Sequence, residues 1–110
     1  MHLLTMKKPN TQITYRYCDP DNYKYWASFV VRGKIKRSEL KPYMFDTDQF
    51  VPERIGLKHA LIDPWSRTDH LLHEFWKFEQ TDSKDCVCTA KQLIKKFKEA
   101  SNGWWFEGLL

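Results

Sequence analysis

Asp69–Thr81, DHLLHEFWKFEQT, is the stretch on which the fold turns. Its first half sets two imidazoles between two acids: Asp69, His70, His73 and Glu74. Its second half is dense in rings, with Phe75, Trp76 and Phe78. Aromatic side chains suit a pleated, half-buried surface, so a strand is expected over His73–Thr81. On a strict period of two, Leu72, Trp76 and Phe78 share one face and Phe75 takes the other. Candidate chemistry and candidate core thus meet in one short segment.

Upstream, Thr11–Cys18 (TQITYRYC) alternates, with Ile13, Tyr15 and Tyr17 on one side, as a half-buried strand does. Asp19–Asn22 supplies turn residues. Tyr23–Arg32 (YKYWASFVVR) is a second strand. Tyr23, Tyr25, Ala27, Phe29 and Val31 share one face, and Trp26 and Val30 lie on the other. The two strands are expected to pair as an antiparallel hairpin, with Gly33 closing the second. Ser38 is the expected N-cap of a short helix that turns Leu40, Tyr43 and Met44 inward. Pro42 keeps that helix brief. Phe50–Leu57 (FVPERIGL) is expected to be extended, broken at Pro52 and turned at Gly56, with an irregular connection running on to Thr68.

Downstream, Thr89 and Gln92 have the spacing of a capping box. The helix they open, over Ala90–Ser101, carries an apolar stripe of Leu93, Ile94, Phe97 and Ala100, with Lys91, Lys95 and Lys98 opposite. Gly103 is its natural C-cap. The tail Trp104–Leu110 is apolar enough to dock on the domain or to bury against another molecule, a homodimer being one such arrangement.

A chain of 110 residues makes one domain, and 15% aromatic residues give a short chain large rings with which to build a core. The expected organisation is a flexible arm over 1–11, a single domain over 12–103 and the apolar tail over 104–110. The expected class is α+β: a small antiparallel sheet of three or more strands, the C-terminal helix packed on one face and the short helix at the edge. No apolar run approaches the roughly 20 residues that span a bilayer. The apolar residues of Met1–Asn10 precede its lysines, unlike a secretory leader. Three cysteines, of which Cys86 and Cys88 are too close to bridge without strain, fit a reducing compartment. A cytoplasmic location is expected.

YRYCDPDNYKYW, FVPERIGL and DHLLHEFWKFEQT, taken together and in this order, resemble a widespread group of small uncharacterised bacterial proteins. That group shows YRYRD-x-x-NYK, FxPxxVGL-like and DHxxHE-like blocks. Cys18 stands where the group more often has Arg, and Leu71 and Leu72 where it often has Pro and Trp. The resemblance implies a bacterial or mobile-element protein and brings no reaction with it.

Four groups of residues carry functional expectations. Tyr15, Tyr17, Tyr23, Tyr25 and Trp26, with Trp104, Trp105 and Phe106 of the tail, are candidates for holding a partner. Arg32, Lys34, Lys36, Arg37, Lys91, Lys95 and Lys98 would track phosphates if joined in space. The net charge of +4 permits this, although the 18 basic and 14 acidic residues are largely interleaved. His70, His73, Cys86 and Cys88 have the donor set of tetrahedral zinc, but C-x-C is tighter than the usual ligand spacing. Asp69 to Glu74 could instead form an acid–base cluster of a small hydrolase. Cys86 and Cys88 precede a helix N-terminus, where the dipole lowers a thiol pKa. No nucleophile elbow, phosphate loop or HExxH is present. The leading expectation is a non-enzymatic macromolecular interaction module, needing no cofactor, of the kind a phage or plasmid carries as an accessory or inhibitor. Its partner would be a protein or a protein–nucleic acid complex. Nucleic-acid binding through the basic and aromatic surface is the alternative, and a metal-dependent hydrolase the third.

Overall fold

The structure, a computed structural model, describes residues 8–18, 21–45, 48–57, 60, 72–102 and 105. Among these residues, five strands form one sheet: β1 (Asn10–Cys18), β2 (Lys24–Arg32), β3 (Gln49–Phe50), β4 (His73–Thr81) and β5 (Cys86–Thr89). Their spatial order is β3-β4-β1-β2-β5. Two helices accompany them, α1 (Arg37–Leu40) and α2 (Ala90–Asn102). The class is α+β. No helix among the described residues is long and apolar enough to cross a membrane.

β1 is the centre of the sheet and pairs antiparallel with both β2 and β4. Its alternation settles the two faces. Thr11, Ile13, Tyr15 and Tyr17 are buried, and Gln12, Thr14, Arg16 and Cys18 are partly exposed. The strand opens at Asn10, inside the stretch expected to be a free arm. Asn10 is held there because its Nδ2 donates to the Ser83 carbonyl at 2.8 Å and its Oδ1 accepts from Gly33 N at 3.1 Å. Thr11 Oγ1 donates to the Gly33 carbonyl at 2.9 Å and accepts from Ile35 N at 3.3 Å. These bonds draw the segment after β2 back over the start of β1. Gly33 makes this reversal at φ +99°, a conformation that costs a side-chain-bearing residue dearly.

β4 has the bounds expected of it, but its faces differ from a simple period of two. Tyr15 pairs with Phe75 and Thr14 pairs with Lys77, so Trp76 is an extra residue in the ladder. This β-bulge resets the alternation. Phe75 and, on the far side of the bulge, Phe78 both turn toward the core, and Trp76 turns outward. Arg37 braces the distortion: its Nη2 donates to the Trp76 carbonyl at 3.1 Å and lies 3.4 Å from the Phe75 carbonyl.

Phe50 occupies the middle of the core. Its ring stacks on Phe75 at 4.5 Å between centroids and meets Phe97 at 5.6 Å and Tyr15 at 5.7 Å. Of the stripe read from α2, Leu93, Phe97 and Ala100 are buried and Ile94 is partly buried against the core. The capping box forms as expected: Gln92 N donates to Thr89 Oγ1 at 3.1 Å, and Thr89 N donates to Gln92 Oε1 at 2.9 Å. α1 begins two residues earlier than Ser38 would place it. Lys36 is the N-cap, and its N–H donates to Glu39 Oε2 at 2.8 Å. Pro52 opens a 3-10 turn over Pro52–Ile55, closed by Gly56 at φ +80°, where an extended segment was expected. β5 pairs in parallel with β2. The connection from 61 to 71 and Gly103 lie outside the described residues.

Candidate interaction surface

The side of the sheet away from the core carries an aromatic group built from three adjacent strands. β1 contributes Arg16, β2 contributes Trp26 directly opposite it, and β4 contributes Glu74 and the bulged Trp76. The Arg16 guanidinium lies over the Trp76 ring at 4.5 Å from its centroid and pairs through Nε with the Glu74 carboxylate. Trp26 meets Trp76 edge-on at 6.3 Å and 74°. The salt bridge holds the guanidinium flat, and the flat guanidinium supports the indole. Both indoles are nevertheless about half exposed, Trp26 at 50% and Trp76 at 48%. Covering the bare half of each would remove on the order of 100 Å² from water, or about 2.5 kcal/mol per ring.

The spacing of residues alone puts Trp76 beside Phe78 and does not reveal the bulge that turns it onto this surface. Trp26 was identified, and its outward direction holds. Tyr23, at 67% exposed, lies just before β2. Tyr15 and Tyr17 do not reach the surface. Alternation along β1 turns them into the core, where they are 3% and 0% exposed, so neither ring faces a partner. Tyr25 is half-buried and stacks on Tyr17 at 6.3 Å. Trp105 is also interior: its Nε1 donates to the Tyr43 carbonyl at 2.9 Å, and its ring lies 5.3 Å from Phe97. Its carbonyl accepts from Arg54 Nε at 3.0 Å. This tryptophan docks within the chain and is not available to a second copy. Trp104 and Phe106 lie outside the described residues.

Of the proposed zinc ligands, His73 and the two cysteines are not brought together. His73 is on β4 and the cysteines are on β5, with β1 and β2 between them. Three strand spacings of ~4.8 Å put them roughly 14 Å apart, far beyond metal-bridging range. His73 is 1% exposed, ringed by Tyr15, Tyr17 and Phe50, and its Nε2 accepts the Ala60 N–H at 3.0 Å. The lone pair a metal would need is thus engaged. Asp69 and His70 lie outside the described residues. Among those described, no three His, Cys, Asp or Glu side chains are grouped to hold an ion. Burial pushes the Cys88 thiol pKa up, with Lys96 acting the other way. The thiolate is therefore disfavoured, against the expectation drawn from the helix dipole.

The basic residues divide. Lys34, Lys36 and Arg37 line one cavity of about 310 Å³. Arg32 ends β2 beside Thr89, and Lys91, Lys95 and Lys98 are exposed on α2. Arg37 is already committed to the carbonyls of the bulge. No family model, curated protein or solved structure matches the chain.

Proposed function

We propose that the chain is a non-enzymatic interaction module that grips a protein partner on the outer face of its sheet. The observation that carries this reading is the pair of half-exposed indoles, Trp26 and Trp76, bracketing Arg16. Trp and Arg are the residue types that dominate binding energy at protein interfaces. The charges on this face alternate in sign: Arg16 is paired with Glu74, and Lys77 lies 3.5 Å from Glu79. A mixed face of this kind favours a polypeptide with its own interleaved charges over the uniform polyanion of a nucleic-acid backbone. The resemblance to small bacterial proteins supports a setting in the bacterial cytosol, as an accessory or inhibitor protein carried by a phage or plasmid.

Affinity capture from nuclease-treated extract, comparing the native chain with a Trp26→Ala/Trp76→Ala variant, tests this. A discrete protein is expected to bind the native chain. The double substitution should weaken that binding by tenfold or more, at least the size of an interface hot spot. Equal capture by both forms would refute the assignment of the surface. Capture lost on nuclease treatment would favour nucleic acid as the partner.

A further inference from the structure

A second site lies on the other side of β4. The segment after Gly33 crosses the sheet and leaves a cavity of about 310 Å³ between itself and the C-terminal half of β4. That volume is at the lower end of small-ligand pockets. Its apolar wall is Ile35 and Phe78, and the Arg37 guanidinium lies 5.8 Å from the Phe78 ring centroid. Lys34, Lys36 and Glu39 also line it, as does Glu79, whose carboxylate is turned to Lys77 on the outer face.

The charges there are not all available. Glu39 Oε2 accepts the Lys36 N–H, Glu79 Oε2 faces Lys77 Nζ, and Arg37 donates to the bulge carbonyls. Among the described residues, no hydrogen bond or ion pair engages the ammonium of Lys34 or of Lys36. Two positive charges without a partner among the described residues therefore line the same cavity as the apolar side chains of Ile35 and Phe78. A carboxylate would answer one of them. A phosphate monoester, carrying about −1.5 to −2 at neutral pH, answers both, and lysine is an established point-charge binder of phosphate.

We propose that this cavity binds a nucleoside monophosphate. The planar base lies along Ile35 and Phe78. The phosphate is drawn to Lys34 and Lys36. The carboxylate of Glu39 repels the phosphate from its own side, which orients the ligand, and accepts hydrogen bonds from its hydroxyl or amino groups.

Titration of the ¹⁵N-labelled full chain with adenosine 5′-monophosphate, adenosine and inorganic phosphate tests the site. The nucleotide should give saturable shifts at the amides of residues 33–36. Adenosine and inorganic phosphate should each bind about tenfold more weakly or worse, since each lacks half of the recognised chemistry. The surface double variant Lys34→Ala/Lys36→Ala should bind the nucleotide no better than adenosine. The Trp26→Ala/Trp76→Ala variant should bind it as the native chain does, which separates this site from the interaction surface. No saturable shift at residues 33–36, undiminished nucleotide binding by the lysine variant, or shifts centred on Trp26 and Trp76 would each overturn the proposal.

Discussion

Tyr15 takes a phenol into an interior of rings, between Phe29, Phe50 and His73. Its pKa is pushed from 10.0 up to about 12, chiefly by burial and further by the negative charge of Glu53. The consequence for stability follows from linkage. Below pH 10 the tyrosine is protonated in both the folded and the unfolded chain. Between pH 10 and about 12 the unfolded chain releases the proton while the folded chain keeps it. Native stability should therefore fall as pH rises through that window and level off above it. Absorbance titration should show a phenolate that appears near pH 12 and is missing from a Tyr15→Phe variant. Denaturation midpoints of that variant should decline less steeply across the same window. A phenolate at Tyr15 ionising near its ordinary value would contradict the placement of this ring in the core.

At the scale of elements, local chemistry was the legible part. β1 was visible because Ile13, Tyr15 and Tyr17 alternate without interruption. α2 was visible because a 3.6-residue stripe and a capping box agree on where it starts. That box should be worth about 1 kcal/mol, so Thr89→Ala is expected to lower the free energy of unfolding by that amount, read as a lower urea midpoint with the slope of the transition unchanged. A neutral result would mean that tertiary contacts alone hold the first turn. β3 and β5 were not legible. Two residues and four residues are too short to show a period, and β5 acquires its strand geometry from parallel pairing with β2. The start of α1 was misplaced for a related reason. Ser38 is the better capping residue by type, but the Glu39 carboxylate reaches back to the Lys36 N–H and fixes the turn there.

For the molecule as a whole, the sequence indicated which residues were candidates for interaction but not which of them would be turned outward. Tyr15, Tyr17 and Trp105 were chosen for ring chemistry, and the same property makes them the best core material. Trp76 was missed because its direction depends on pairing with β1, which no count along β4 reveals. The metal reading failed at the same level. His73 and the two cysteines lie on strands kept apart by two others, an order that residue spacing does not encode.

Phe75 and Phe78 are three positions apart yet both face inward, which a regular strand forbids and the bulge permits. Excising Trp76 would leave the two phenylalanines two positions apart, as an uninterrupted ladder requires. Loss of that single codon should thus yield a chain that still melts cooperatively and keeps its amide dispersion but fails to capture the partner proposed for the Trp26–Trp76 face. Loss of Lys77 instead would keep the indole and should leave capture intact. A gene lineage could accordingly gain or shed this grip in one in-frame step, without rebuilding the scaffold beneath it.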